Sequence, residues 1–339
     1  MTVRPRFSPV IEQVELSLPP GKQLGGLIGA AFSPEGDLYL LHQWNPPGTD
    51  FSHLNPDHYL PDVARFSPQG EFRYAWGGPH HIPAVDGVSQ WPAGREGIEC
   101  DDEGNVWIFG YSAGDDAVLK FSPSGELLLR IGQRGLPGTD SSTDLVKGPT
   151  GCYHDVAARE VFVADGYGNH RIVAFNSDTG EFTRMWGAYG KDPATLSPEE
   201  GFGNPVHKVV CGPDGLLYVC DRIKNRIQVF ERVSGGAKFL REVTVGIGTM
   251  MFGSCFDIAF APDGKHMYVA DGSNIRVWIL ERESLTVLGW VSAANETEGD
   301  DNMGRVYGIL HRFIMEPGGD LLLCCTTRGL RRMRYLGVS

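Results

Sequence analysis

The sequence predicts an all-β chain forming a single six-bladed β-propeller over 1–339, each blade a four-stranded antiparallel sheet. Three observations carry that prediction. One phrase, an apolar stretch followed by a Pro/Asp/Gly turn and an aromatic-plus-valine stretch, recurs six times. The 45 glycines and 22 prolines are scattered between short apolar runs, as many turns and many short strands require. No segment of helical period competes, and no apolar run approaches the roughly 18 residues of a membrane span.

The copies read AAFSPEGDLYLLH at 30–42, GIECDDEGNVWIFG at 97–110, HDVAAREVFVAD at 154–165, KVVCGPDGLLYVCD at 208–221, DIAFAPDGKHMYVAD at 257–271 and RFIMEPGGDLLLCC at 312–325. Each supplies the first two strands of a blade. Third strands follow in most copies, as in AVLKFSPSGELL, RIVAFNSDTGEF, RIQVFERVSGG and IRVWILERESL, and fourth strands in YAWG, LRIG, RMWG and VLGWV. Blade cores are expected near 28–75, 96–132, 150–187, 206–246, 254–292 and 310–338. The last copy runs out of chain near Arg334–Val338, while VIEQVELSL at 10–18 is a spare strand. Pairing the spare strand into the last blade closes the ring and covers its edges.

Composition narrows the function. A net charge of −12 argues against nucleic acid and anionic membranes as partners. The seven cysteines are odd in number, form no CxxC and sit mostly in apolar runs, so buried free thiols in a reducing compartment are expected. The opening MTVRPRFSPVIEQVELSLPPG has no apolar h-region, and a cytoplasmic location is the expectation.

Six equivalent units around one axis allow the channel-facing positions to be counted. Eight residues before the turn glycines 36, 104, 215, 264 and 319 stand Ile28, Glu96, His207, Phe256 and His311. In the third copy, whose turn is shorter, counting back from Asp165 gives Gly151. Ligand-type side chains thus occupy the second, fourth and sixth blades, which a threefold axis relates. Glu96, His207 and His311 are expected to converge near the channel mouth. Two imidazoles and a carboxylate with open positions form a catalytic metal set suited to Zn²⁺, with Fe²⁺ as the alternative. The bland alternative is three polar residues lining a hydrated channel.

Loops after the second strands lie on the same face. They offer Tyr167 and Arg222 as catalytic groups and His42, Gln43 and Asp165 as substrate-binding groups. Arg171, Arg226 and Arg276 are read as structural partners of Asp165, Asp221 and Asp271. His80 and His81, in the long loop at 76–95, enter this face as well, either as contacts or as ordinary loop residues.

Residues 25–325 resemble the NHL-repeat propellers of the peptidyl-α-hydroxyglycine α-amidating lyase family, most closely in EVFVADGYGNHRIVAF at 160–175 and LYVCDRIKNRIQVF at 217–230. The first stretch is similar to that family's VFVSDGYxNSRIVQF signature. The resemblance implies zinc held by three histidines on alternate blades, matched here by Glu96, His207 and His311. It implies a catalytic tyrosine at Tyr167 and a substrate-binding arginine at Arg222. The departures are a glutamate at 96 for the first histidine, Gln43 for a second arginine, and Arg312 for the aspartate of a structural calcium site. Gly168, Tyr218 and Val229 stand where the family has disulfide cysteines.

Together these readings predict a metal-dependent lyase acting on a small organic substrate at the channel mouth. The metal would polarise a hydroxyl or carbonyl, Tyr167 would move the proton with its pKa lowered by the metal and Arg222, and Arg222 would hold a carboxylate. Two alternatives stay open: a metal-dependent hydrolase of the lactonase-propeller kind, against which the imidazole pair counts, and a non-enzymatic NHL scaffold.

Overall fold

The structure, a computed structural model, describes residues 10–48, 50, 52–250, 252–293, 309–326 and 329–334. Six four-stranded antiparallel sheets surround one axis. Blade one is Gly26–Phe32, Leu38–Gln43, Val63–Phe66 and Phe72–Trp76. Blade two is Arg95–Cys100, Val106–Gly110, Ala117–Phe121 and Leu127–Gly132. Blade three is Pro149–Asp155, Glu160–Asp165, Arg171–Asn176 and Phe182–Trp186. Blade four is Val206–Cys211, Leu217–Asp221, Arg226–Val233 and Gly236–Thr244. Blade five is Cys255–Phe260, His266–Asp271, Arg276–Glu281 and Val287–Ser292. Blade six is Leu310–Met315, Leu321–Cys325, Gly329–Arg334 and, as its outer strand, Val10–Gln13.

The N-terminal strand pairs antiparallel with Gly329–Arg334, from Val10↔Arg334 to Gln13↔Arg331, so one blade is sewn from both chain ends. Residues 335–338, assigned by sequence to the end of blade six, lie outside the described residues. Helix among the described residues is limited to three short 3₁₀ turns at Pro56–His58, Ala188–Gly190 and Pro193–Thr195. None is long and apolar enough to cross a membrane.

Separate apolar clusters fill the spaces between neighbouring blades. Trp107, Phe109 and Ile131 of blade two, for example, pack on Val161, Val163 and Phe175 of blade three. Burying such side chains contributes about 1.5–3 kcal/mol each before entropy is set against it. The ring is stable because every blade is covered on both faces by its neighbours. All seven cysteines are free. Burial pushes the Cys152 and Cys220 thiols well above their ordinary range, so they serve as small apolar groups.

Every inner strand carries one β-bulge at the same place, and this feature positions the site. The pairing register slips between Leu27 and Gly29, Arg95 and Gly97, Pro149 and Gly151, Val206 and Lys208, Cys255 and Asp257, and Leu310 and Arg312. The unpaired residues are therefore Ile28, Glu96, Thr150, His207, Phe256 and His311. A bulge frees one residue from the ladder and re-aims its side chain. One count is corrected: blade three presents Thr150, not Gly151. Its turn is shorter, but its hairpin pairs further out, to Asp155↔Glu160, and the extra pair shifts the count by one.

Candidate metal centre

The bulges of blades two, four and six bring Glu96, His207 and His311 together, with one ligand atom of each within 4.8 Å of the others. His207 Nε2 lies 2.8 Å and His311 Nε2 3.2 Å from Glu96 Oε1. The opposite ring nitrogens face carbonyls, and at His207 the carbonyl is nearer than the Arg312 guanidinium nitrogen that stands 3.2 Å from the same Nδ1. His207 Nδ1 is 2.6 Å from the Phe256 carbonyl and His311 Nδ1 2.6 Å from the Ile28 carbonyl, and a carbonyl only accepts. Both Nδ1 atoms therefore carry the proton. Each histidine is held by the bulged residue of the next blade in the ring, an outer-shell arrangement that orients ligating imidazoles.

With its Nδ1 proton spent on a carbonyl and the ring held neutral by burial, His207 directs its Nε2 lone pair at the Glu96 carboxylate. His207 Nε2 is buried and has no hydrogen-bond partner. Protonating it would relieve the clash, but burial, with the Arg312 and Arg222 charges, holds its pKa well below the usual range. Burial also works to raise the Glu96 pKa, yet His311 and His207 outweigh it and keep the group ionised. Two imidazole Nε2 atoms and a carboxylate oxygen, all buried and gathered within 4.8 Å, fit a divalent cation, and the N,N,O set suits Zn²⁺.

Arg312 lies against this cluster. Its guanidinium donates to the carbonyls of Thr150 at 2.5 Å and Phe256 at 3.2 Å, and reaches Glu96 Oε1 at 3.5 Å. Arg312 thus places a fixed cation among carbonyls that the bulges turn inward.

Tyr167 stands beside the triad, its ring 6.4 Å from that of His207. Asp165 anchors its loop by accepting from Lys147 N, Asn169 Nδ2 and Arg171 Nε at 2.7, 2.8 and 2.9 Å. Gly166 lets the loop graze blade four, since a Cβ there would overlap the Val206 carbonyl. The Tyr167 hydroxyl accepts from Arg222 Nη1 at 3.0 Å. Its pKa is raised, against expectation: burial and the Glu96 carboxylate outweigh Arg222. The guanidinium of Arg222 lies between the Phe256 and Tyr167 rings, 4.7 and 5.4 Å from their centroids. It is buried, its Nε has no partner, and among the described residues it has no carboxylate.

A cavity of 1040 Å³ opens here, lined by Glu96, His311, Tyr167, Arg222, Gln43 and Tyr111 among others. Gln43 turns its amide Oε1 to Arg95 N, and its buried Nε2 is unpartnered. Two expected contacts do not reach the cavity. His42 is wholly buried, accepting from Gly25 N and bonded to the Pro61 carbonyl, and Asp165 is spent on its own loop. His81 stacks on Trp76 and bonds to the Gly125 carbonyl, and it does not line the cavity. Arg171 and Arg226 pair with Asp165 and Asp221 as expected, but Arg276 stacks on Trp290 while Trp278 and Asn274 satisfy Asp271. Tyr111, which sequence reading passed over, packs its ring 5.6 Å from Tyr167. Its position directly after the second strand of blade two was the available signal.

Comparison with known proteins places the chain among its relatives. It is 28% identical over 233 residues to NHL repeat-containing protein 3 of Mus musculus, covering 65% of this chain and 58% of that one. It is 25% identical over 230 residues to peptidyl-alpha-hydroxyglycine alpha-amidating lyase 1 of Drosophila melanogaster, covering 63% and 39%. The chain is a homologue of both. Rat peptidylglycine alpha-amidating monooxygenase is 30% identical over 195 residues, which span 56% of this chain but 19% of that enzyme. The matched stretch is thus less than two thirds of each of these relatives. No family model matches. Virginiamycin B lyase from Staphylococcus aureus superposes with a TM-score of 0.55 over 98% of this chain and 90% of its own, at 13% identity, a likeness of fold.

Proposed function

We propose that this homologue of the amidating lyases is itself a metal-dependent lyase, acting on an organic acid in the cavity beside Glu96, His207 and His311. The observation that carries the reading is the unprotonated, unpartnered Nε2 of His207 facing Glu96 Oε1 at 2.8 Å. Zinc held by the three residues would supply Lewis acidity toward a substrate hydroxyl or carbonyl. Arg222 would bind the substrate carboxylate, because a buried guanidinium without a counter-ion calls for an anion and a planar fork suits a carboxylate. The Tyr167 proton would serve the reacting group. Arginine can only donate, so the bond from Arg222 leaves that proton available, and burial keeps it in place.

Gln43, an amide where the family has a charged anchor, favours a substrate other than a peptide C-terminus. The retained imidazole pair favours lyase over hydrolase chemistry, and the buried triad favours an enzyme over a scaffold. The test is to load the protein with zinc, screen α-hydroxy and α-amino-derived acids, and weigh the products. A lyase yields two products whose masses sum to that of the substrate. Products heavier by one water would instead assign a hydrolase, and no turnover across the panel with zinc bound would count against the reading.

A further inference from the structure

The cavity is far larger than its reactive corner. Away from the triad it runs between blades one and six under the segment that follows the N-terminal strand. That wall is apolar: Val14, Leu16, Leu18 and Leu24, with Trp44 and Leu54 opposite. Val14, Leu16 and Leu18 alternate with exposed Glu15 and Ser17, so a period-two stretch turns its apolar face inward. Each of the three packs in part on the apolar cluster of blades one and six and, being only partly buried, leaves its remaining apolar surface along the cavity.

We propose that this arm of the cavity binds an unbranched hydrocarbon tail, making the substrate an amphiphilic carboxylic acid whose head lies at Arg222. The inference rests on the proposed site for the polar end alone. Two observations choose a hydrocarbon over a peptide. Two amides that line the arm are already committed, Val14 N to Leu330 O at 3.0 Å and Gly25 N to His42 Nδ1 at 3.1 Å, and the neighbouring Ser17 N and Gln23 N donate to Gly70 O and His58 O at 2.9 and 2.8 Å. A peptide bound there would leave its own amides without those partners, at a cost a methylene chain does not meet. In addition, the unpartnered donors of the cavity, Arg222 Nε and Gln43 Nε2, both sit toward its polar end.

Calorimetric titration of straight-chain carboxylates from butyrate to decanoate into the zinc-treated protein tests this. Affinity is expected to rise about fourfold per methylene once the chain enters the arm. Leu18→Ser and Leu24→Ser should each flatten that slope while butyrate affinity stays near wild type; both leucines also pack on the apolar cluster, so circular dichroism is used to select conditions in which each variant is folded. A slope of zero would overturn the proposal, as would a capped tripeptide acid binding more tightly than an alkyl acid of equal length. Zinc content measured on the same samples separates the two readings. A slope without zinc sinks the metal centre and keeps the tail site, whereas zinc without a slope does the reverse.

Discussion

The axial channel holds two clusters of polar side chains, and they differ in how their charges are answered. Near the cavity, Glu96, His207 and His311 turn their polar atoms toward one another, and one imidazole nitrogen, Nε2 of His207, has no hydrogen-bond partner. Further along, Glu99, Lys208, Asp257 and Arg312 line a smaller space of 180 Å³. There Lys208 pairs with Glu99, and Asp257 accepts from the amides of Ile258 and Phe313 at 2.9 and 3.3 Å. The same inner strands build both clusters. In one the charges answer each other side chain to side chain, and in the other a neutral imidazole nitrogen is left facing a carboxylate whose nearest guanidinium nitrogen is 3.5 Å away. Ionisable residues on a propeller axis thus mark a site when their geometry leaves lone pairs unanswered, not merely because they are buried.

That contrast can be broken at either end. The largest effect is expected from His207→Ala or His311→Ala, each of which should weaken zinc binding by more than about 10²-fold, since even losing an outer-shell partner costs about 10–100-fold. Circular dichroism should show the propeller intact, because its stability comes from the contacts between blades. Glu96→His should keep zinc bound, as it restores the three-imidazole set that the resemblance implies. Tyr167→Phe should leave zinc content unchanged and lower turnover by about 10²–10⁴-fold, the range of a general acid–base group.

A smaller effect separates His42 from the site to which sequence reading assigned it. Burial lowers its pKa to about 4, against about 6.5 in the unfolded chain. Above about pH 6.5 both states are neutral and the stability is fully present. As the pH falls toward 4 the unfolded chain takes up the proton first, and about 3 kcal/mol is lost. Urea titrations at pH 7.5 and 4.5 should show this loss, and it should be smaller in His42→Leu, which starts from a lower stability. Smallest is Lys208→Met in the self-satisfied cluster. It should lower stability by about 1–3 kcal/mol and leave zinc affinity unchanged. Glu99, 28% exposed, can still turn to water.

The blades, their closure and the triad were legible because they depend on counting. Position along a repeated strand is a property of sequence, and the bulge recurs at one place in every blade. The count slipped only at blade three, where hairpin length and turn length change together and Thr150 replaces Gly151 on the axis. Loop residues were harder to place. Asp165 ends its second strand as Gly110 does, and His42 is the last residue but one of its own, but whether such a residue faces the cavity depends on the partners it finds, and both find theirs within the fold. Arg312 was legible as a substitution but not as a guanidinium among inward carbonyls, because sequence carries no side-chain direction across the ring. The apolar arm was hidden for a similar reason: Leu16 and Leu18 read as a closing strand, and only the packing of blades one and six leaves space beneath them.

The most direct test is a crystal structure of the zinc-loaded protein, with anomalous data collected on either side of the zinc absorption edge. One zinc peak is expected between Glu96, His207 and His311, about 2.0–2.2 Å from one oxygen and two Nε2 atoms, with Tyr167 and Arg222 on its open side. No peak there, or a peak held by Glu99 and Asp257 instead, would contradict the account.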